Sequence, residues 1–122
     1  ACAAAGLRRC KLQMMRTAPV DWRLGPILAG GLTLAHYPSF AHCPGLPALE
    51  ARLDRQWPRQ RAEGVHVLVA QHDAGHLVLG DSHEYDDAIT PFDRPAVDAL
   101  VLEYLDTLLA SPIGAIVERW HG

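Results

Sequence analysis

The sequence has few cysteines, and their spacing fits neither a disulfide framework nor a metal knuckle. Cys2, Cys10 and Cys43 are an odd number at irregular intervals. Small disulfide-stabilised domains carry even sets of cysteines, and zinc knuckles carry CxxC pairs. We therefore expect reduced thiols and a cytoplasmic protein.

The chain also lacks an excess of positive charge and any long apolar run. Eleven Lys and Arg residues against fourteen Asp and Glu residues give a net charge of -3, so nothing attracts nucleic acid phosphates or an anionic membrane. No window approaches the ~18–20 uninterrupted apolar residues of a membrane span. The alanine-rich segment 1–6 is too short for a secretory apolar region. We expect neither a nucleic acid nor a membrane partner.

Three common catalytic motifs are missing as well. No G-x-G-x-x-G follows a strand-like run and no Walker lysine loop occurs, so these residues contain no recognisable cradle for nucleotide phosphates. The G-x-S-x-G turn of many serine hydrolases is absent too, which removes the simplest hydrolase interpretation.

What the chain does have is enough apolar sequence for one core. Its 122 residues are 49% hydrophobic and 20% charged, which is typical of a single domain, here residues 1–122. The sequence begins at Ala1 and stops just past an apolar run. We therefore expect a fragment of a larger protein, inactive by itself, whose activity belongs to the parent.

Apolar periodicity predicts the order strand, strand, helix, hairpin, helix, strand. Asp93 is expected to cap the second helix, with Pro95 in its first turn, because the helix start leaves amide donors unpaired. This order predicts an α+β domain with a mixed, largely antiparallel sheet and both helices against one face. The predicted elements are a strand in 8–20, a glycine-interrupted strand in 27–37, a helix over 46–57 limited by Pro58, a hairpin of 65–71 and 76–80, a helix ending at Ser111-Pro112, and a closing strand in 113–120.

Seven histidines raise the question of a metal site. The two groupings considered are His36, His42 and Cys43, and His72, His76, His83 and Glu84. Neither has a tight ligand spacing, and two histidines that flank a turn do not share a helix face as in HExxH. Surface or hydrogen-bonded structural histidines are the favoured interpretation, and no metal is assigned.

Three other positions have two interpretations each. The polar segment 80–87 is either a binding loop or a solvated turn. Gly30-Gly31 either lets backbone approach a ligand or bends a strand. Tyr37 is either the wall of a pocket or a core tyrosine with its hydroxyl at the rim.

Several segments resemble one flavoprotein family. Residues 8–17 are similar to the strand by which the chain of D-amino acid oxidase, glycine oxidase and sarcosine oxidase returns to the substrate domain, although Leu12 stands where glycine is usual. The hairpin ending in Gly80-Asp81-Ser82-His83-Glu84 resembles the family's Gly-x-Ser/Thr-x-Glu pattern. Trp120-His121-Gly122 matches the start of its Trp-x-Gly-x-Arg-Pro segment.

The resemblance extends to a subgroup of FAD-dependent oxidoreductases proposed to deaminate small aminophosphonates, and it covers nearly the whole chain. The segments that carry it are 10–17, 24–26, 30–34, 39–44, 80–85 and 118–122.

The resemblance implies a sheet that covers the flavin of FAD and holds a substrate amine beside it. Hydride passes from the carbon bearing the amine to the flavin, and water hydrolyses the resulting imine; the chemistry belongs to the cofactor. No residue is assigned a catalytic role, and the nucleotide end of FAD is held by the rest of the parent. Arg16 and Arg119 are the available partners for a phosphonate. The expected substrate-binding residues are Met14, His36, Tyr37, His42, His83 and Trp120.

The partners implied are a small-molecule amine and the rest of the parent chain, or a second copy of the fragment that covers the same surface. Two further functions stay open. One is a stand-alone module that binds a small ligand or a metal through its histidine-rich loops, and the other is a protein-interaction domain.

Overall fold

The computed structural model describes residues 6–122, so Cys2 lies outside the described residues. Cys10 and Cys43 are both free thiols. No helix within the described part of the chain has the length and apolar character to cross a membrane. The elements are β1 (Arg9–Lys11), β2 (Gln13–Thr17), β3 (Leu28–Ala29), α1 (Gly31–His36), a 3-10 turn (Pro38–Phe40), α2 (Leu46–Gln56), α3 (Pro58–Ala62), β4 (Val65–Gln71), β5 (Leu77–Ser82), β6 (Glu84–Asp86), α4 (Pro95–Leu105) and β7 (Ile116–His121).

Five strands form one antiparallel sheet in the order β3-β4-β5-β2-β7, and β1 pairs with β6 in a separate two-stranded ladder. The expected α+β class and largely antiparallel sheet are confirmed. The expected parallel component is absent from residues 6–122, where every paired strand is antiparallel. A tight turn suffices to join β4 to β5, whereas a parallel neighbour needs a long crossover.

The core lies between one face of this sheet and α4. Directly paired residues share a face, so Met15, Leu79 and Val69 form one buried row across β2, β5 and β4. Helix α4 packs on these three strands. Helix α2 packs mainly on α1 and α3 and contributes Leu53 to the core. The expectation that both long helices lie on the sheet therefore holds for α4 and is wrong for α2.

The predicted second strand is wrong after Ala29, where the chain enters α1. A Cβ at Gly30 would lie 2.6 Å from a ring carbon of Tyr104, and the Tyr104 hydroxyl accepts a hydrogen bond from the Leu32 amide at 3.3 Å. The two glycines therefore allow α1 to pack closely against α4 and α2, and Gly31 lies against Leu49.

The predicted first strand divides at Leu12, whose backbone exchanges two 3.0 Å hydrogen bonds with Gly122. Before that point the chain pairs with β6, and after it the chain enters the main sheet.

The polar segment 80–87 is mostly strand, because its first three residues belong to β5 and residues 84–86 form β6. The expectation of a loop or turn there is wrong.

Helix α4 differs from its prediction at both ends. Arg94 occupies the N-cap without a side-chain cap, and Pro95 is in the first turn as expected. Asp93 does not cap the helix, because its carboxylate lies 3.3 Å from the Lys11 ammonium and 2.7 Å from His121 Nδ1. The helix ends at Leu105, before the expected stop, where the Thr107 hydroxyl donates to the Tyr104 carbonyl at 2.8 Å and competes with the helical ladder.

Candidate functional site

Three imidazoles meet at one corner of the main sheet. His36 ends α1, His66 is the second residue of β4, and His83 lies between β5 and β6. The ring centroids of His36 and His66 are 3.7 Å apart, and His83 lies 4.5 Å from each. One nitrogen from each ring lies within 4.8 Å of the others. We call these three residues the histidine cluster.

Backbone pairing brings the three histidines together. The β4–β5 hairpin places Val65 opposite Ser82, and the His83 amide donates to the Gly64 carbonyl at 2.8 Å. Gly64 has a φ of 61°, and a Cβ there would overlap the His83 carbonyl. Glycine is needed because it adopts this left-handed conformation without steric cost.

Helix α1 is tied to the same strand. The Gly30 amide and the Thr33 hydroxyl both donate to the Val67 carbonyl, at 3.0 and 2.9 Å. These two bonds fix the helix against β4, so that its last residue, His36, reaches His66.

Burial lowers the pKa of two of the rings. His66 is 9% exposed, and loss of hydration, followed by the charges of His36, His83 and Arg61, lowers the pKa of His66 to about 3. The pKa of His36 is lowered as well, first by burial and then by His83, although Asp81 opposes this. Neutral imidazoles offer a lone pair to a metal or to a hydrogen-bond donor.

The polar groups of this corner are incompletely paired. Asp81 Oδ2 lies 3.0 Å from His83 Nε2, and the Tyr85 hydroxyl lies 3.4 Å from His83 Nδ1. His66 Nδ1 and Asp81 Oδ1 are buried and have no hydrogen-bond partner among residues 6–122. Buried polar atoms are nearly always paired in folded proteins, so two unpaired atoms in one corner indicate a place for a ligand.

A pocket of about 300 Å³ opens beside the cluster, lined by Leu32, Ala35, His36, Arg61, Val65 and His66. The Arg61 guanidinium is held by Asp54 at 2.7 Å, which partly offsets its positive charge. The pocket gives a small ligand access to two of the three histidines.

A second surface of interest is the sheet face opposite α4. Trp120, Met14, Gly80 and Leu68 are paired in register across four strands and therefore form one row on this face. Trp120 is 38% exposed, and Met14 and Leu68 are half-buried. Asp81, which contacts the histidine cluster, follows Gly80 directly, so the cluster lies beside this row.

A cavity of about 360 Å³ lies elsewhere, near Cys10, Lys11, Thr90 and Gly122. The Lys11 ammonium donates to the carbonyls of Thr90 and Phe92 and pairs with Asp93. Since its charged group is already engaged by the protein, this cavity is a weaker candidate.

The structure brings some of the expected substrate-binding residues together and separates others. Tyr37 lies 5.1 Å from His36, centroid to centroid, and both are near His83 in the cluster. Met14 and Trp120 lie together in the row across the sheet. His42 is exposed in the turn after the 3-10 segment and is not part of the cluster.

The two arginines expected to meet a phosphonate are engaged elsewhere. Arg16 pairs with Glu118 at 2.7 Å, and Arg119 pairs with Asp98 at 3.0 Å. Arg119 alternates with Trp120 along β7 and therefore points to the α4 side.

Sequence reasoning missed His66. It is the one histidine inside the run Val65–Gln71, where the apolar pattern predicts only a strand. The signal that could have identified it is a titratable side chain within an apolar run, two residues after a glycine.

Comparison of the chain with protein-family models, with curated proteins and with solved structures finds no match.

Proposed function

We propose that this chain is the substrate-binding part of a cytoplasmic FAD-dependent oxidoreductase that oxidatively deaminates a small amine or amino acid-like compound, with aminophosphonates among the candidate substrates. The observation that carries the proposal is the two-sided sheet. Helix α4 covers one face, and the other face keeps a partly exposed apolar row that leads to a polar corner.

The row suits a flat aromatic ring system such as that of the flavin. A Cβ at Gly80 would overlap the Met14 sulfur, so glycine lets the Met14 side chain lie across the middle of the row. Trp120 extends the apolar surface at one end and Leu68 at the other. The residues present therefore fit the ring, whereas the nucleotide part of FAD would be held outside this chain, which has no phosphate-binding glycine motif.

The polar corner suits the amine. Tyr37 and His36, whose rings lie 5.1 Å apart, offer hydrogen-bonding groups in this corner, and Asp81, next to Gly80 of the row, adds a carboxylate. FAD, when bound, accepts the hydride. The residues of this chain would orient the carbon–hydrogen bond, exclude water from it, and accept hydrogen bonds from the amine nitrogen.

The test uses the complete protein whose reading frame contains this chain. Its visible spectrum is recorded before and after addition of candidate amines, aminophosphonates included, with air excluded. We expect a yellow protein whose flavin band bleaches with one class of amine. A colourless protein would contradict the proposal.

Two variants test whether the row itself takes part in substrate binding. Trp120→Ala is expected to slow bleaching by at least about tenfold, because substrate and ring lose one wall. Val117→Ala, in the same strand but outside the paired row, is expected to bleach at the wild-type rate. Equal rates for the two variants would show that the row takes no part in substrate binding.

The alternative function, a small-ligand or metal-binding module, is favoured by the histidine cluster. It requires no flavin, and zinc binding by the metal-stripped chain tests it.

A further inference from the structure

We propose that His36, His66 and His83 form a site for a divalent transition-metal ion, for which zinc has the best-fitting chemistry, and that Asp81 is a positioning residue for His83. This site shares His36 and Asp81 with the polar corner proposed for the amine, but its tests need no flavin.

The geometry is close to that of a three-histidine site. The three ligand nitrogens lie within 4.8 Å of one another. Tetrahedral zinc with bonds of about 2.0–2.1 Å needs ligand nitrogens about 3.3–3.4 Å apart. Rotation of the side chains at His36, which ends a helix, and at His83, which lies between two strands, closes a difference of this size. Three histidines leave a fourth position for water or a substrate atom.

The burial of His66 also suits a metal ligand. The residue is 9% exposed, and a metal ligand must offer an unprotonated nitrogen. The His66 ring also contains a buried nitrogen that has no partner among residues 6–122. Metal binding would use a ring that the folded chain leaves incompletely paired.

Asp81 provides the outer contact that metal-bound histidines usually have. Its Oδ2 lies 3.0 Å from His83 Nε2. His83 Nδ1, which among residues 6–122 has only the Tyr85 hydroxyl at 3.4 Å as a neighbour in hydrogen-bond range, would then bind the ion in place of that contact. Its second oxygen is buried without a partner, so its negative charge remains available to offset the charge of the ion. The nearest positive side chain, Arg61, is paired with Asp54 at 2.7 Å.

Within the described part of the chain, the histidine cluster is the single group of three His, Cys, Asp or Glu residues whose ligand atoms are in range of one ion. A purely structural role would not explain why three rings converge while two buried atoms of this corner, His66 Nδ1 and Asp81 Oδ1, have no partner among residues 6–122.

The experiment measures zinc affinity of the metal-stripped full chain by competition with a chromophoric chelator, and the visible absorption of its cobalt form. We expect one zinc per chain and the absorption of a tetrahedral cobalt site. His36→Asn, His66→Leu and His83→Asn should each weaken zinc binding by at least about 100-fold, because each removes a ligand. The matched control is His42→Asn, an exposed histidine outside the cluster, whose zinc affinity should stay within about twofold of wild type.

Asp81 is tested in the same assay. Asp81→Asn should weaken zinc binding by about tenfold through loss of the outer contact to His83, and Asp81→Glu should restore part of the affinity. If Asp81→Asn and Asp81→Glu weaken it equally, the positioning role is wrong.

Three outcomes would overturn the metal site. The first is zinc binding that survives in both His36→Asn and His83→Asn. The second is no zinc bound by a chain that circular dichroism shows to be folded. The third is inorganic phosphate that binds at the cluster while zinc does not. Because His36 is partly exposed at a helix end, its variant should fold even if those in the strands do not. None of these outcomes depends on flavin, so a failure here is distinguishable from a failure of the flavoprotein proposal.

Discussion

Two buried polar clusters of this protein differ in how completely their groups are paired. In the first, Gln13 donates to Asp98 at 2.8 Å and to the Arg94 carbonyl at 3.1 Å, and it accepts from the Arg94 amide at 2.9 Å. Asp98 also accepts from Arg119. We call this set the Gln13 cluster. In the histidine cluster, by contrast, His66 Nδ1 and the adjacent Asp81 Oδ1 have no partner among the described residues.

The difference indicates different roles. The Gln13 cluster joins β2 to the start of α4, and the buried amide group of Gln13 is satisfied by the protein itself. Such networks hold elements in register. The histidine cluster costs stability as it stands, because its buried polar atoms lose hydration without a replacement. It is therefore the cluster that a ligand would complete.

The largest effect is expected from breaking the Gln13 cluster. Asp98→Ala removes the acceptor of both the Gln13 amide and the Arg119 guanidinium. It should lower the free energy of unfolding by about 2–3 kcal/mol, because a charged acceptor is lost and a buried donor is left with one partner. Urea unfolding followed by circular dichroism measures this.

The control for that variant is Glu118→Ala, which removes the exposed partner of Arg16. Exposed ion pairs contribute little, so a change below about 1 kcal/mol is expected. If the two variants destabilise equally, the Gln13 cluster has no special structural role.

An intermediate effect is expected from acid. The pKa of His66 is about 3 in the folded chain against 6.5 for the free side chain, so the unfolded chain binds this proton first. The free energy of unfolding has its full value above pH 6.5 and falls as the pH is lowered from 6.5 toward 3. The lowered pKa of His36 acts in the same direction.

Between pH 7.5 and pH 5.5, with a chelator present, the free energy of unfolding should fall by about 1 kcal/mol. Urea unfolding of wild type and His66→Leu at both pH values tests the assignment. His66→Leu should lose most of this dependence, and an unchanged dependence would place its origin elsewhere.

The smallest effect is expected for His66→Leu at pH 7.5. Replacing a buried, incompletely paired imidazole with an apolar side chain of similar size should leave the stability unchanged or raise it by up to about 1 kcal/mol. The Gln13 cluster should behave oppositely, because Asp98→Ala is expected to lose stability. A loss above about 2 kcal/mol for His66→Leu would mean that the histidine cluster is structural after all.

The elements that local pattern determines were predictable from the sequence. The β4–β5 hairpin and the helix before Pro58 are present as expected, because period-two and helical spacings with a Gly turn or a Pro stop are local signals. The second predicted strand failed at Gly30, whose role is to admit the Tyr104 ring. That contact joins residues far apart in sequence and is invisible to any local pattern.

The candidate site was predictable only in part for the same reason. His36, Tyr37 and His83 were expected near a substrate, and the structure places them in one corner. Neither histidine grouping weighed from the sequence matches the cluster in the fold, since His36 and His83 are joined by His66 through strand pairing and not by spacing along the chain. Arg16 and Arg119 were expected to be available to a phosphonate, but each is paired with a carboxylate in the folded chain.

The most direct test of the account is a nuclear magnetic resonance titration of the seven histidine side chains with zinc. If the unpaired atoms mark a ligand site, one equivalent of zinc should shift the imidazole nitrogens of His36, His66 and His83 and fix one tautomer in each ring, while His42 and His72 stay unchanged. Shifts confined to the exposed histidines, or no saturable shift in the cluster, would contradict it.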